Sequence, residues 1–139
     1  MSEPKINATA TAHLVVKEND LASALQISDD PFPPVFVTAR MVALTEVAAA
    51  RVLQPQLWPG ELSVGVTVDV DVDVVHRAPT PLGATVIATA TLTGQEGKLF
   101  VFEVMASDDA GEVGRGAHKR AVVTTERIVV GAARRARSA

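Results

Sequence analysis

The chain has 139 residues, which is enough for one domain with a sizeable hydrophobic core and too few for two. Its net charge of −3 gives no reason to expect nucleic acid or an acidic membrane as a general partner, and the absence of cysteine excludes disulfides, thiolate metal sites and cysteine nucleophiles. The first twenty residues lack the apolar block of a signal peptide, and no apolar run approaches the roughly 20 residues of a membrane helix. A cytoplasmic protein is therefore expected.

The first part of the chain predicts one strand and one long helix. Residues 6–16 alternate loosely between apolar and polar, as a strand does, and residues 19–28 suit a short helix or an ordered loop. Residues 29–34 contain three prolines, which exclude regular structure there. Apolar positions at helical spacing then predict a helix that begins near Thr38 or Ala39 and ends around Pro55 to Gly60.

From residue 64 the pattern changes to a period of two, which predicts β-strands. Valines alternate with Gly, Thr and Asp, so one face of the first of these strands is dry and the other is wet. The predicted strands cover residues 64–74, 84–93, 99–107 and 112–130. Hairpins or short turns join them.

The order of the elements favours an α+β fold, an antiparallel sheet with one long helix across one face. A single domain is predicted over residues 1–130, followed by a disordered basic tail at residues 131–139. Long valine-rich strands with an uncovered edge usually find a partner, so a homodimer is expected.

Glu46 fits its position in the predicted helix less well than its neighbours do. The residues three and four positions away are all apolar, whereas Arg40 and Arg51 mark a different, wet face. A lone carboxylate that points towards apolar packing is costly unless it is paired or protonated. Two interpretations stay open, an ordinary glutamate at the rim of the buried face or a functional carboxylate in a largely enclosed site.

Two further residues could act with Glu46. His76 lies on the same strand face as the valines and at a strand end, where catalytic groups are common, although a structural role would also explain it. We assign a structural role to His13. Thr38 precedes Glu46 by eight residues, about 12 Å along a helix, so the two cannot touch if both are helical. An N-cap role would by itself explain Thr38.

Metal and cofactor motifs are not found in the sequence. Asp69, Asp71 and Asp73 recur on one strand face, but a straight row of carboxylates cannot converge on a cation, so a solvated face is predicted. No zinc spacing, phosphate loop or dinucleotide glycine pattern occurs. We therefore expect neither a metal nor a cofactor.

Four segments together resemble the hot-dog-fold thioesterases, and most closely the group that includes fluoroacetyl-CoA thioesterase. They are Phe32–Glu46, Ser63–Gly65, His76–Gly83 and Gly114–Arg120, in that order along the chain. The resemblance implies a sheet wrapped around one long helix and a dimer with active sites at the subunit interface. It also implies that Thr38, Glu46 and His76 match the catalytic threonine, glutamate and histidine of the family.

The resemblance further implies three substrate-binding residues. Gly65 matches the glycine whose N–H faces the thioester carbonyl. Arg120 matches an arginine associated with substrate or coenzyme A binding, and Phe32 matches an aromatic residue at the lid over the acyl pocket. The spacing departs from the family, because Gly65 and His76 are eleven residues apart rather than about seven, an even difference that keeps the face alternation. Either the strand bulges and restores Gly65, or Asp69 takes its place and opposes a developing negative charge.

The leading hypothesis is the hydrolysis of a small acyl-CoA thioester to the carboxylic acid and free CoA. Glu46 would act as nucleophile or general base, with His76 orienting the thioester or protonating the thiolate and Thr38 hydrogen-bonding within the group. An alternative is a non-catalytic acyl-CoA-binding protein of the same fold, motivated by the altered spacing after Gly65. A hot-dog dehydratase or hydratase ranks third, because the helix-borne Glu46 fits the thioesterase pattern better.

Overall fold

The computed structural model describes residues 1–70 and 78–138, and of residues 67–70 only the backbone. In chain order, the helices and strands are β1 (Thr9–Val15), α1 (Thr38–Leu53), β2 (Glu61–Val70), β3 (Thr85–Glu96), β4 (Leu99–Asp108), β5 (Gly111–Thr124) and α2 (Thr125–Ser138). Short 3-10 turns occupy Glu18–Asp20, Ala22–Leu25 and Gln54–Gln56. The predicted α+β class is confirmed, and the segment at residues 19–28 consists of short turns.

The five strands form one antiparallel sheet that curls around α1. Their order across the sheet is β1-β3-β4-β5-β2, so β1 and β2 are its edges among the described strands. The central position of β4 and β5 follows from the two tight hairpins that join β3, β4 and β5 in sequence order. One side of β2 is therefore paired with β5, and its other side is an edge.

Small side chains let α1 lie close to the sheet. Ala48 and Ala49 on the helix and Ala88 and Ala90 on β3 are fully buried, and α1 packs against both β1 and β3. Phe102 fills the core on the β4 side. These alanines belong to one buried apolar cluster with larger side chains of α1 and β3, such as Leu53 and Val86, and together they exclude water between helix and sheet.

The C-terminal end of the chain differs from the prediction. β5 ends at Thr124, and residues 125–138 form α2, where a strand to residue 130 and then a disordered tail were expected. The prediction of a strand up to residue 130 was wrong. The β-branched run Ile128–Val130 is typical of a strand, but Ile128, Ala132 and Ala136 also recur at helical spacing. Alanine and arginine, which dominate residues 132–137, are strong helix formers.

β2 contains the irregularity that sets the position of the site. Gly65 pairs with Arg120 and Thr67 with Lys119, so Val66 is an extra residue on β2 and the strand bulges there. Asp69 pairs with Ala117, farther along the strand. The predicted continuation of this strand to residue 74 lies outside the described residues.

No helix within residues 1–70 and 78–138 is both long enough and apolar enough to cross a membrane.

Candidate active site

Glu46 lies where three elements meet. α1 brings its carboxylate over β2 and β5, and the side chain is 39% exposed in a single chain. Oε1 lies 3.8 Å from Nη1 of Arg120 and 3.9 Å from Nε2 of His118. The carboxylate therefore has a cationic and an imidazole neighbour and remains open to solvent, so it is less enclosed than the helical pattern indicated.

Gly65 is directly against this carboxylate. A Cβ at position 65 would overlap with Oε1 of Glu46 and would lie 2.9 Å from Cε1 of His118. The backbone of Gly65 does not need a positive φ, because the glycines with positive φ are Gly60, Gly83, Gly97 and Gly111 among those that the structure describes. Glycine is required here for space, since any larger residue would displace the carboxylate.

Arg120 is held from three sides beneath the carboxylate. Its Nε donates to Oγ of Ser63 and its Nη2 to the carbonyl oxygen of Ser63, each at 2.8 Å, and Nη1 contacts Nε2 of His118 at 3.0 Å. Burial lowers the pKa of Arg120, whereas the Glu46 carboxylate raises it. Arg120 is only 7% exposed, so it is more buried than an arginine that extends into solvent to bind a phosphate.

His118 is a member of this cluster that the sequence reasoning missed. The ring is fully buried, with Phe102 at a ring-centroid distance of 6.4 Å. A guanidinium has only donors, so Nε2 of His118 accepts from Arg120 and the ring is in its neutral tautomer protonated on Nδ1. The available signal was parity, because His118 and Arg120 are two residues apart on one strand and so share a face.

Thr38 lies away from Glu46, at the other end of the helix face. It is the first residue of α1 and Val37 holds the N-cap position, so the N-cap interpretation of Thr38 is wrong. Both residues are helical and eight positions apart, which separates them by about 12 Å along the axis. Within one chain, Thr38 and Glu46 cannot act on the same atom by direct contact.

Thr38 borders an apolar cavity of about 220 Å³. The segment before α1, the first turns of α1, residues 78 and 79, and Val113 of β5 form its walls. Phe36 is part of this wall, and Phe32, whose place at the lid over the acyl pocket stays a prediction, is 44% exposed. The cavity carries one hydroxyl group at its edge and otherwise suits an uncharged, apolar group.

His76 lies outside the described residues, so its role stays a prediction. Of the residues predicted from the sequence, Glu46, Gly65 and Arg120 are in mutual proximity, and Thr38 and Phe32 belong to a separate region near the start of α1. Among residues 1–70 and 78–138, no group of three or more carboxylates and histidines could hold a metal ion. The carboxylate of Glu46 is suited to acid-base or nucleophilic chemistry.

Comparisons with known proteins agree on one family. Residues 16–126 match the profile of a family described as FlK, fluoroacetyl-CoA-specific thioesterase. The fluoroacetyl-CoA thioesterase of Streptantibioticus cattleyicolor is 44% identical over 97 residues, which cover 70% of this chain and 67% of that protein. A solved structure of the fluoroacetyl-CoA thioesterase FlK has a TM-score of 0.85 at 34% identity, covering 96% of this chain and 98% of that one. A hot-dog-like protein from Thermanaerovibrio acidaminovorans has a TM-score of 0.78 at 25% identity, covering 95% and 93%.

Proposed function

The chain belongs to the family of fluoroacetyl-CoA-specific thioesterases and is an acyl-CoA thioesterase with a hot-dog fold, and on that premise we propose that Glu46 is the carboxylate that cleaves the thioester. The observation that carries this proposal is the contact of Glu46 with Gly65, Arg120 and His118, residues from two different strands. The reaction converts an acyl-CoA and water to a carboxylic acid and free CoA. We propose a short acyl group without charge, as in the substrate that names the family.

The carboxylate can cleave a thioester by either of two routes. As a general base, Glu46 takes a proton from water while the water oxygen bonds to the carbonyl carbon, and the C–S bond then breaks. As a nucleophile, it bonds to the carbonyl carbon and expels the thiolate, and water hydrolyses the resulting anhydride. Both routes require Glu46 in its ionised form, and Nη1 of Arg120 lies 3.8 Å from its Oε1.

Gly65 would bind the developing oxyanion. Its backbone N–H is the donor that the family resemblance assigns, and the Glu46 carboxylate lies directly against this glycine. Gly65 pairs with Arg120 and lies against the Glu46 carboxylate, whereas the backbone of Asp69 pairs with Ala117 farther along β2, and this supports Gly65 as the residue at the oxyanion position. His76 would protonate the departing thiolate, as the resemblance implies.

A homodimer would complete the site. Thr38 and Glu46 are about 12 Å apart along one helix, so they can flank one thioester only if a second chain contributes one of them or if the acyl group spans the gap. β2 is a ten-residue edge strand in the described sheet and exposes Val66, which suits pairing with a second copy. Sedimentation equilibrium tests the dimer, and a concentration-independent monomer that is fully active would contradict it.

The acyl group would lie in the apolar cavity beside Thr38. Among the described residues, its lining, which includes Phe36, Met41 and Val113, has no charged side chain, so an acyl group with a terminal carboxylate should be a poor substrate. The full-length protein should be incubated with acetyl-, fluoroacetyl-, propionyl-, butyryl- and succinyl-CoA, with free thiol measured by a colorimetric reagent. Turnover of the uncharged substrates is expected, whereas saturable binding without turnover would support the non-catalytic alternative.

Isotopic oxygen separates the two routes. In a single turnover in ¹⁸O-water, the nucleophilic route places ¹⁸O in the Glu46 carboxylate when water attacks the Glu46 carbonyl carbon of the anhydride, and the released acid is then unlabelled. The general-base route places the label in the released acid alone. Label in the peptide that contains Glu46, detected by mass spectrometry, would therefore establish the nucleophilic route.

A further inference from the structure

The helix α2 has no part in the chemistry proposed above, yet it concentrates positive charge. Each of its residues is exposed, and it carries Arg127, Arg134, Arg135 and Arg137 against one acidic residue, Glu126. The net charge of α2 is +3, whereas the whole chain has a net charge of −3, so the residues outside α2 carry −6. An anionic ligand would be repelled by most of this protein and attracted to α2.

The arginines are grouped around the helix. Arg127 and Arg134 are seven positions apart and lie within about 20° of each other, and Arg137 follows Arg134 by three positions, about 60° away. Ile128 and Ala132 occupy the other side. Three guanidinium groups can therefore face one ligand, and guanidinium is the group best suited to phosphate oxygens.

An exposed tryptophan lies at the base of α2. The backbone N–H of Thr125, the first residue of the helix, donates to the carbonyl oxygen of Gly60 at 2.9 Å. Trp58, two residues before Gly60, is 61% exposed and is the single tryptophan of the chain. An exposed indole beside a basic helix offers a stacking surface and phosphate partners together, the two groups that a nucleotide needs.

The nearby carboxylates do not cancel this charge. Glu61 is paired with the amino group of Met1 at 3.2 Å and accepts from the backbone N–H of Trp58 at 2.8 Å. Glu126 is in the first turn of α2, where a negative charge is stabilised by the helix dipole. The arginines near the C-terminal end of α2 are exposed to solvent.

The distance from α2 to the reacting atoms fits the substrate. β2 runs from Glu61, beside the base of α2, to Gly65, beside Glu46, and four extended residues span about 14 Å. The pantetheine arm of coenzyme A contains two amide units and is comparable to four or five extended residues, roughly 13–18 Å. A thioester at Glu46 can therefore carry its nucleotide to the neighbourhood of Trp58 and α2.

We propose that Trp58 and the arginines of α2 bind the 3′-phosphorylated ADP end of the acyl-CoA, an inference that rests on the proposed function for the identity of the substrate. The indole stacks on adenine, and the guanidinium groups pair with the 3′-phosphate and the diphosphate. The site adds affinity for the coenzyme portion, which does not change during the reaction. It therefore lowers KM and leaves kcat nearly unaffected.

Binding is tested without catalysis through the fluorescence of Trp58. The full chain is titrated with adenosine 3′,5′-bisphosphate at low ionic strength, together with two variants of equal net charge. The α2 variant carries Arg127→Gln, Arg134→Gln and Arg137→Gln, and the control variant carries Lys5→Gln, Lys17→Gln and Lys98→Gln, all at exposed positions. The parent and the control variant should show a saturable change in tryptophan fluorescence that weakens with salt, and the α2 variant should show about tenfold weaker binding or none. No change in the parent, or equal binding by all three proteins, would overturn the proposal.

Kinetics then distinguish this site from a merely structural helix. For an acyl-CoA, the α2 variant should raise KM about 10- to 100-fold with kcat within about twofold of the parent. For the matching acyl-N-acetylcysteamine thioester, which lacks the nucleotide, both constants should stay unchanged. An equal loss with the two substrates would refute nucleotide binding by α2. If the parent hydrolyses neither substrate, the proposed function is wrong, while the fluorescence titration still decides the nucleotide site.

Discussion

Replacement of Gly65 by alanine tests the geometry of the site with one methyl group. The backbone of Gly65 is not in the left-handed region, so alanine is tolerated by the strand itself. Its Cβ would overlap with Oε1 of Glu46 and lie 2.9 Å from Cε1 of His118 and 3.4 Å from Nη1 of Arg120. The substitution therefore changes the relation between the carboxylate and the strand.

The structure indicates which atoms will give way. His118 is fully buried and Arg120 is held by three contacts, whereas the Glu46 side chain is partly exposed and can rotate outwards. Overpacking of this kind costs about 1–3 kcal/mol when the neighbours are rigid, and less when one of them is a mobile side chain. Since a misplacement of about 1 Å can lower a rate about 100-fold, Gly65→Ala should lose activity far more than stability.

The assay compares kcat for an acyl-CoA with the midpoint of thermal unfolding in parent and variant. Gly94→Ala is the matched control, because Gly94 also lies in a strand beside a register shift and an added Cβ there meets nothing within 4 Å. We expect kcat to fall about 100-fold in Gly65→Ala and to stay within about twofold in Gly94→Ala. Full activity of Gly65→Ala would refute the placement of the carboxylate against this glycine.

The remaining predictions concern the residues around the carboxylate and the base of β2. His118→Leu removes the acceptor for Nη1 of Arg120 and should lower kcat about 10- to 100-fold, whereas His118→Gln keeps an acceptor and should retain most of the activity; equal losses would contradict a positioning role. Ser63→Ala removes one of the two Ser63 acceptors of Arg120, so a loss of about 1 kcal/mol in unfolding free energy is expected from urea denaturation, and an unchanged midpoint would count against it. The pKa of Glu61 is lowered from 4.5, chiefly by the hydrogen bond from the backbone N–H of Trp58. The ionised form of Glu61 therefore stabilises the folded protein above pH 4.5, and this stabilisation is lost as the pH falls through the lower folded-state pKa. Glu61→Gln should flatten the decrease in unfolding free energy below pH 4.5, and an identical pH dependence in parent and variant would show that this interaction adds nothing.

The sequence pattern was most informative where structure is local. The period of two predicted each of the strands, because alternation along a strand depends only on which face of the sheet is dry. The long helix was equally visible from its apolar spacing. At α2 the same reasoning failed, because the β-branched run Ile128–Val130 is typical of a strand. The apolar residues that recur at helical spacing after Ile128 are alanines.

The site depends on contacts that no local pattern encodes. Glu46 could be singled out from its apolar neighbours, but its contacts with Arg120 and His118 depend on how α1 packs over β5. The resemblance supplied Arg120 and Gly65 and left His118 without a role. It also assigned Phe32 to the lid over the acyl pocket, which stays a prediction, and it gave no role to Phe36, which lines the cavity beside Thr38.

The most direct test of the account is the activity of Glu46→Gln on acyl-CoA, measured as kcat/KM for thiol release. Glutamine keeps the size of the side chain and removes the charge, so neither route to cleavage remains, and general-base or nucleophilic assistance of this kind contributes about 10²–10⁴ in rate. Glu103→Gln, at an exposed position on β4, is the control with the same chemical change. The account predicts a loss of at least about 100-fold in Glu46→Gln with an unchanged unfolding midpoint and no loss in the control. Hydrolysis by Glu46→Gln at the rate of the parent would contradict the assignment of Glu46 as the catalytic carboxylate.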